Sequence, residues 1–536
     1  MIRKVERPEP LRECAIGSAH VNVPQRFNIG AELVDRNLRE GRGEAPAIWS
    51  DGRTLTYAEM AQLVDHAAAA FLRAGVRPEE RVLLVMPDSP QLAACYLAAM
   101  KIGAVAVPCN PLLRPADYAY FLEESRAGLL VTAQACLDRI EPVIAAQPGL
   151  RAVVAGAEGE HSLARFLGEA PREPVPTAAT SRDEAAFWLW TSGSTGRPKA
   201  AVHSHQDWPH CCELYARNVL SLEPRDRCFS ASKLFHAYGL GNGLVFPFWA
   251  GASTALSCDK PTAENMFGTI AEAKPTLFFG VPTLYAAMLA MSDVEKRFDL
   301  KSLRLCISAG EPLPGGLFSR WRSRFGTEIL DGIGSTEVLH IYVSPRAGRA
   351  RADSTGLPVH GYQVKVIDET GAEVERGATG DLMVRGPSTA LWYWNRREET
   401  RAKMRGEWFF TGDKFLQTGD GEFHYVGRSD DMFKTGGEWV SPTDVEAVLV
   451  AHAAVLECAI TPKLSDDGLL RPLAHVVLKQ GQSPTPALID ELRQHVRGRC
   501  HGYMVPREIR FLTELPKTAT GKIQRYVLRG EDAARS

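Results

Sequence analysis

What most constrains this chain is the pairing of short, wholly apolar runs with helical stretches. RVLLVMP (81–87), VVAGAE (153–158), TLFFGVP (276–282) and LRLCISAG (303–310) each read as a buried strand. A strand with two apolar faces needs cover on both, and helices joining parallel strands supply it. The expected class is therefore α/β. Thr56 and Glu59 form a candidate capping box ahead of Met60, Leu63, Val64, Ala67, Phe71 and Leu72 at helical spacing, with Gly75 as the stop. The most membrane-like stretch is 92–109, LAACYLAAMKIGAVAVPC. With Lys101 and Gly103 inside it and Pro108 near its end, it reads as a buried helix followed by a strand. No fixed-period repeat is visible, so a solenoid is not expected.

From Gly380 the texture changes. GDLMVRGP, GEWFFTGDKF and GEFHYVGRSDD are short strands between glycine-rich turns, an antiparallel pattern. After Asp430 a smaller α/β region of about a hundred residues reaches the end, of ordinary size for a separate domain. The polar, turn-like GRSDDMF is the boundary. The expectation is a large multi-sheet N-terminal domain over 1–429, including the antiparallel region, and a small mobile α/β domain over 430–536. The 536 residues leave ample room for both.

Composition sets limits on partners. Lys plus Arg number 62 and Asp plus Glu 64, a net charge of −2. Chains built to hold nucleic acid or an anionic membrane need a positive excess, so neither partner is expected. A local basic site for a phosphorylated ligand is still allowed. The 11 cysteines are odd in number and no C-x-x-C occurs, which points away from a disulfide framework or zinc ribbon. MIRKVERPEPLREC has no apolar core for a secretory signal, and a cytoplasmic location is expected.

The strongest local signal is Thr191-Ser-Gly-Ser-Thr-Gly-Arg-Pro-Lys199, directly after AAFWLW. Small residues let backbone N–H groups approach a phosphate, hydroxyls add donors, and Lys199 supplies charge. The order is not that of a Walker A loop. Taken alone, the segment also fits a surface hairpin. His203, His205, His210, Cys211 and Cys212 crowd together but lack zinc spacing, and Gly239-Leu-Gly-Asn-Gly243 has its third glycine misplaced for a dinucleotide loop. Both read as structural.

Four further stretches share an order with this loop: Gly334-Ser-Thr-Glu337, Thr411-Gly-Asp413, Gly427-Arg-Ser-Asp430 and Pro516-Lys-Thr-Ala-Thr-Gly-Lys522. Together the five resemble the motifs of the acyl-adenylate-forming enzymes, over nearly the whole chain from Ala31 to Arg529. Within that family the likeness is to the benzoate-CoA ligases. It is carried by LVDRNLREGRG, KLFHAYGLGNGLVFP, GVPTLYAAML, ISAGEPLP and DGIGSTEVLHIY. Two departures stand out: Ile333 where the family usually has a tyrosine on adenine, and His236 where aryl-CoA ligases often carry Phe.

The resemblance implies roles residue by residue. Thr191, Ser192, Gly193, Ser194, Thr195, Gly196 and Lys199 would hold phosphates. Thr195 and Glu337 would be hard ligands for Mg²⁺. Gly310, Glu311 and Pro312, with Asp331, Gly332 and Ile333, would hold the adenine, and Ser335 and Thr336 would complete the nucleotide site. Asp413 would accept from the ribose hydroxyls with Arg428 assisting. Ala237, Tyr238, Ala309, Gly334, His340 and Ile341, with His236 adjacent, would form a compact pocket for a planar acid. Tyr238, His340 and Ile341 also fit as plain core residues. Asp430 would be a hinge, and the stretch around Lys434, Gly436 and Gly437 would line a path for coenzyme A.

The chemistry fits. Bringing a carboxylate to the α-phosphate of ATP costs about 4 kcal/mol for each pair of unit charges at 4 Å in an effective dielectric near 20. A bridging cation offsets that cost, and Lys522 is the candidate. The implied activity is an ATP-dependent aryl-CoA ligase acting through an acyl-AMP, with ATP, Mg²⁺, coenzyme A and an aromatic carboxylate as partners. It would work as a monomer or homodimer, with Lys522 a target for a lysine acetyltransferase. The alternatives are an adenylating enzyme that loads a carrier protein and a non-catalytic acyl-adenylate-binding protein.

Overall fold

The computed structural model describes residues 21–147, 149–155, 162–168, 173–191, 197–429, 431–435, 438–465, 470–517, 523–525 and 527–529. Two compact units emerge. One runs through Val364 and takes back Val384–Phe409; the other comprises Lys365–Met383 and the chain from Phe410 onward.

The first unit holds two seven-stranded sheets. In one the order is Ile329–Asp331, Leu305–Ser308, Leu277–Gly280, Arg227–Ser230, Ser253–Leu256, Pro46–Ser50 and Arg53–Thr56. All neighbours are parallel except the last pair. In the other the order is Trp392–Tyr393, Lys199–Ser204, Ala185–Thr191, Val105–Pro108, Arg81–Val85, Leu129–Ala133 and Arg151–Ala155. Its second strand, Lys199–Ser204, runs antiparallel to both of its neighbours, and all the other neighbours are parallel. The parallel α/β architecture read from the apolar runs is thus borne out. All four runs supply strands, although VVAGAE contributes only the end of one that begins at Arg151.

The capping box is present: Thr56 Oγ1 accepts from the Glu59 amide at 3.2 Å, and Glu59 Oε2 accepts from the Thr56 amide at 2.8 Å. It opens the helix Tyr57–Arg73, and Gly75 follows its end at φ +80°. Met60, Val64, Ala67 and Phe71 are buried; Leu72 is 46% exposed and lies off the core face. The 92–109 stretch forms the helix Pro90–Lys101 and the strand Val105–Pro108. Buried Lys101 is paired with Asp65 at 2.7 Å and Asp35 at 3.4 Å. No described helix is long and apolar enough to cross a membrane.

In the second unit the strand Trp408–Gln417 pairs antiparallel with Phe423–Arg428. The antiparallel texture expected after Gly380 is found there. Further on, Val455–Leu464, Leu470–Leu478 and Glu508–Leu512 form a three-stranded sheet. The helices Pro442–Val450 and Pro486–Arg497 share with it a core containing Val445, Leu449, Ile460, Val476, Leu492 and Val496.

Candidate active site

Parallel strands place their carboxyl ends on one edge, and open α/β sheets bind ligands in the crevice outside those ends. Strands Leu305–Ser308 and Ile329–Asp331 are neighbours in register, Ser308 opposite Asp331. The segments that leave them carry Ala309, Gly310, Glu311 and Pro312 on one side and Gly332, Ile333 and Gly334 on the other. Gly310 has φ +91°, a turn that favours glycine. Gly332 is needed for space, because a Cβ there would lie 2.8 Å from Ile341 Cγ2. Asp331 keeps some solvent access but is walled by protein, and desolvation pushes its carboxyl up to about 7.

Tyr238 reaches the same edge from the short helix Ala237–Leu240. Its hydroxyl lies 3.2 Å from the Ile307 carbonyl and 3.3 Å from that of Gly280, with one proton to donate. Its ring stacks on His340 at 5.8 Å between centroids, and Phe246 and Tyr215 wall the imidazole at 4.5 and 5.2 Å. His340 is buried, and desolvation lowers its pKa to about 3, so the ring is neutral. The Tyr238 backbone offsets that only slightly, and neither ring nitrogen has a hydrogen-bond partner of good geometry among the described residues. A buried imidazole left this way has donor and acceptor capacity for a ligand. Ala237, Ala309 and Ile341 are buried in the same unit, whereas Gly334 and His236 are partly exposed. The His236 ring packs 4.2 Å from that of Phe235.

The glycines set aside as a false dinucleotide loop give His340 its place. A Cβ on Gly241 would lie 2.7 Å from His340 Cδ2 and 3.2 Å from Phe246 Cζ. Gly241 opens a π-helical turn, Gly241–Val245, a geometry frequent at functional sites. Gly241→Ala is expected to displace the imidazole, destabilise the fold by about 1–3 kcal/mol and raise the KM for the acid. Denaturant midpoints and acid titrations check it; an unchanged KM would mean that the ring does not line the pocket.

The Gly334–Glu337 segment is a tight turn. Ser335 Oγ caps the 3₁₀ turn Thr336–Val338 by accepting from the Val338 amide at 3.2 Å. Leu339 follows in the left-handed region at φ +73°, where a side chain is strained. The turn is anchored on several sides. His203 Nε2 lies 2.8 Å from the Thr336 carbonyl while its Nδ1 lies 2.7 Å from Asp207 Oδ2. Ser388 Oγ donates to the Val338 carbonyl at 2.7 Å, and the Ala390 amide to the Glu337 carbonyl at 2.7 Å. Tyr393 donates its hydroxyl to Glu337 Oε1 at 2.6 Å. Lys199 lies on the same tyrosine, Nζ 4.7 Å from the ring centroid. Sequence reasoning missed Tyr393, Asp207 and Gly241. VHSH and GLGNG were visible signals, but their partners lie far along the chain.

Residues 192–196 of the phosphate-type loop, including Ser192, Gly193, Ser194, Thr195 and Gly196, lie outside the described residues. Its stems are paired, Thr191 opposite Lys199. In the second unit Asp413 and Arg428 are register partners, and Arg428 Nη1 donates to Asp413 Oδ1 at 2.8 Å. Lys434 lies in the strand Phe433–Thr435. Gly436, Gly437, Asp430 and Lys522 lie outside the described residues; Lys517 and Ile523 form an antiparallel bridge. The described residues contain no cluster of three or more His, Cys, Asp or Glu arranged for a metal.

Comparison with known families decides the affiliation. The AMP-binding enzyme model matches residues 34–394, and the AMP-binding enzyme C-terminal domain matches 444–522. The chain belongs to the AMP-binding enzyme family. Among its relatives, the benzoate–CoA ligase of Thauera aromatica is 45% identical over 95% of this chain and 97% of its own length. The 4-hydroxybenzoate–CoA/benzoate–CoA ligase of Rhodopseudomonas palustris is 40% identical over 94% of each. The p-hydroxybenzoic acid–AMP ligase of Mycobacterium marinum is 32% identical over 95% of this chain and 70% of its own. In structure, this AMP-binding enzyme is similar to the anthranilate CoA ligase AuaEII in complex with anthranoyl-AMP, with TM-score 0.91, 39% identity, and 96% and 99% of the two chains covered. It is also similar to a benzoate CoA ligase from Burkholderia xenovorans, with TM-score 0.86, 42% identity, and 94% and 100% covered. The resemblance read from the motifs is borne out.

Proposed function

We propose that this AMP-binding enzyme is an ATP-dependent aryl-CoA ligase: an aromatic acid and ATP give acyl-AMP and pyrophosphate, then the coenzyme A thiol displaces AMP. The observation that carries the reading is the near full-length identity of 45% with a benzoate–CoA ligase. The pocket around Tyr238 and His340 agrees with it, since flat walls and a neutral, unsatisfied imidazole suit a small planar acid. A neutral N–H polarises the carboxylate or a ring substituent without a fixed charge in the pocket.

The roles proposed are those that the motifs imply. Asp331 accepts from the exocyclic amine of adenine, and Ile333 packs the purine. Asp413 accepts from the ribose hydroxyls while Arg428 fixes the carboxylate. Lys199 and the loop after Thr191 hold the phosphates. Glu337 presents a mostly buried carboxylate whose second oxygen has no hydrogen bond among the described residues, a hard donor that fits a divalent cation. With Thr195 it would hold Mg²⁺, which offsets phosphate charge when bound. Lys522 supplies the bridging charge in the first step, and the small domain turns about Asp430 so that Lys434, Gly436 and Gly437 meet pantetheine in the second. The enzyme would act in the cytoplasm.

A screen of acids for AMP release with free coenzyme A tests this. Benzoate, or one with a small substituent, should outperform unbranched acids of eight carbons. Each buried methylene adds only about 0.8 kcal/mol, and only where a pocket lengthens. If octanoate wins, the aryl reading fails. His236→Phe in the same screen asks whether His236 favours hydroxy or amino substituents; an identical ranking removes it from selectivity. A second reading is an adenylating enzyme that loads a carrier protein; one relative is named an acid–AMP ligase, with no coenzyme A in its name. Product formation with free coenzyme A would exclude it.

A further inference from the structure

Two oppositely charged groups flank one tyrosine in the phosphate region. Tyr393 gives its only hydroxyl proton to Glu337 Oε1 at 2.6 Å, and Lys199 Nζ sits 4.7 Å from its ring centroid. All three side chains are buried. The placement is built into the sheet. The strand Trp392–Tyr393 adds antiparallel to Lys199–Ser204, with Tyr393 opposite Ala201. Flanking bonds fix it, the Leu391 amide to the Val202 carbonyl at 2.8 Å and the Trp394 amide to the Ala200 carbonyl at 2.9 Å.

A buried carboxylate and a buried ammonium this close to a common neighbour gain most by pairing with each other. Were they to pair, each would be lost to the nucleotide: the lysine to phosphate, the carboxylate to a cation. We propose that Tyr393 is a positioning residue that keeps Glu337 and Lys199 apart as two separate poles of the phosphate site. Its hydroxyl occupies one carboxylate oxygen and turns the other outward, while its ring face holds the ammonium. The inference rests on the ligase reading above and deepens it. It concerns binding of the metal–nucleotide complex, so it predicts a loss before chemistry rather than in the thiol step.

The test uses the full chain and Mn²⁺ with α,β-methylene-ATP, which cannot release pyrophosphate, followed by electron paramagnetic resonance. Tyr393→Phe keeps the ring under Lys199 and frees Glu337. It should weaken the Mn²⁺–nucleotide complex about tenfold or more, the scale of one hydrogen bond to a charged group. In pyrophosphate exchange the KM for metal–ATP should rise far more than kcat falls, and thioester formation from supplied benzoyl-adenylate should be unchanged. In a Glu337→Gln background, Tyr393→Phe should add nothing, because its effect passes through that carboxylate. Tyr393→His, which retains a donor, should recover Mn²⁺ binding, and it carries the test alone if the Phe variant melts early. Unchanged Mn²⁺ affinity in Tyr393→Phe, equal loss of thioester formation, or a His variant binding no better than the Glu337→Gln variant overturns the proposal. Wild-type enzyme inactive in exchange with every aryl acid would instead overturn the ligase reading.

Discussion

Lys522→Ala is expected to reduce acyl-adenylate formation by about a hundred- to a thousandfold, the usual loss when one charge-stabilising donor is removed from a transition state. Thioester formation from supplied acyl-adenylate should be spared. The asymmetry follows from the charge balance of the two steps. In the first, an anionic carboxylate approaches a polyphosphate and pyrophosphate departs, so a cation there counteracts repulsion and growing charge together. In the second, a thiol attacks an acyl carbon whose leaving group is a single AMP. Among the described residues nearby, Lys517 bridges Ile523, and the Gln524 amide donates to the Pro516 carbonyl at 2.8 Å. Acetylation of Lys522 removes the same charge and should silence the same step. Separate assays of the two half-reactions decide the matter; equal loss in both contradicts the assignment.

Asp430→Pro is expected to let adenylate form and accumulate while transfer to coenzyme A slows by about tenfold or more, a barrier increase of at least ~1.4 kcal/mol. Proline fixes φ near −65° and removes the N–H, so a residue that must change its dihedral angles becomes locked. The described residues on either side of this peptide are both held. On one side, Ser429 is tied to the antiparallel strands, its amide donating to the Gly412 carbonyl at 2.9 Å and its hydroxyl to Asp381 Oδ1 at 2.5 Å. On the other, Asp431 is held by Arg529 at 3.0 Å and Arg525 at 3.4 Å. Rapid-quench measurement of bound adenylate provides the readout, and unchanged overall turnover would show that the pivot lies elsewhere.

The strands over 81–85, 277–280 and 305–308 were legible because burial on both faces leaves an unbroken apolar run. The capping box was legible because its bonds are local. Leu72 shows the limit: helical spacing assigns a residue to a face, but the width of that face depends on what packs there. His203 shows it more sharply. VHSH and its neighbours were visible as a cluster, yet the partner that gives His203 a role is the Thr336 carbonyl, over a hundred residues away, and only sheet topology brings the two together. Tyr393 carried no signal at all, because a tyrosine in an apolar strand is ordinary until its hydroxyl meets a carboxylate.

By itself, the sequence determined the α/β class, the antiparallel region and the ordered motifs that place the chain among AMP-binding enzymes. These rest on periodicity, turn chemistry and short spacings, which are properties of neighbouring residues. Tertiary structure alone decided that Gly241 makes room for a neutral, unsatisfied His340, that the Asp207–His203 pair grips the turn bearing Glu337, and that Tyr393 stands between Glu337 and Lys199. Each is a contact between distant segments, fixed by strand order and by space for a Cβ, and no local pattern encodes either.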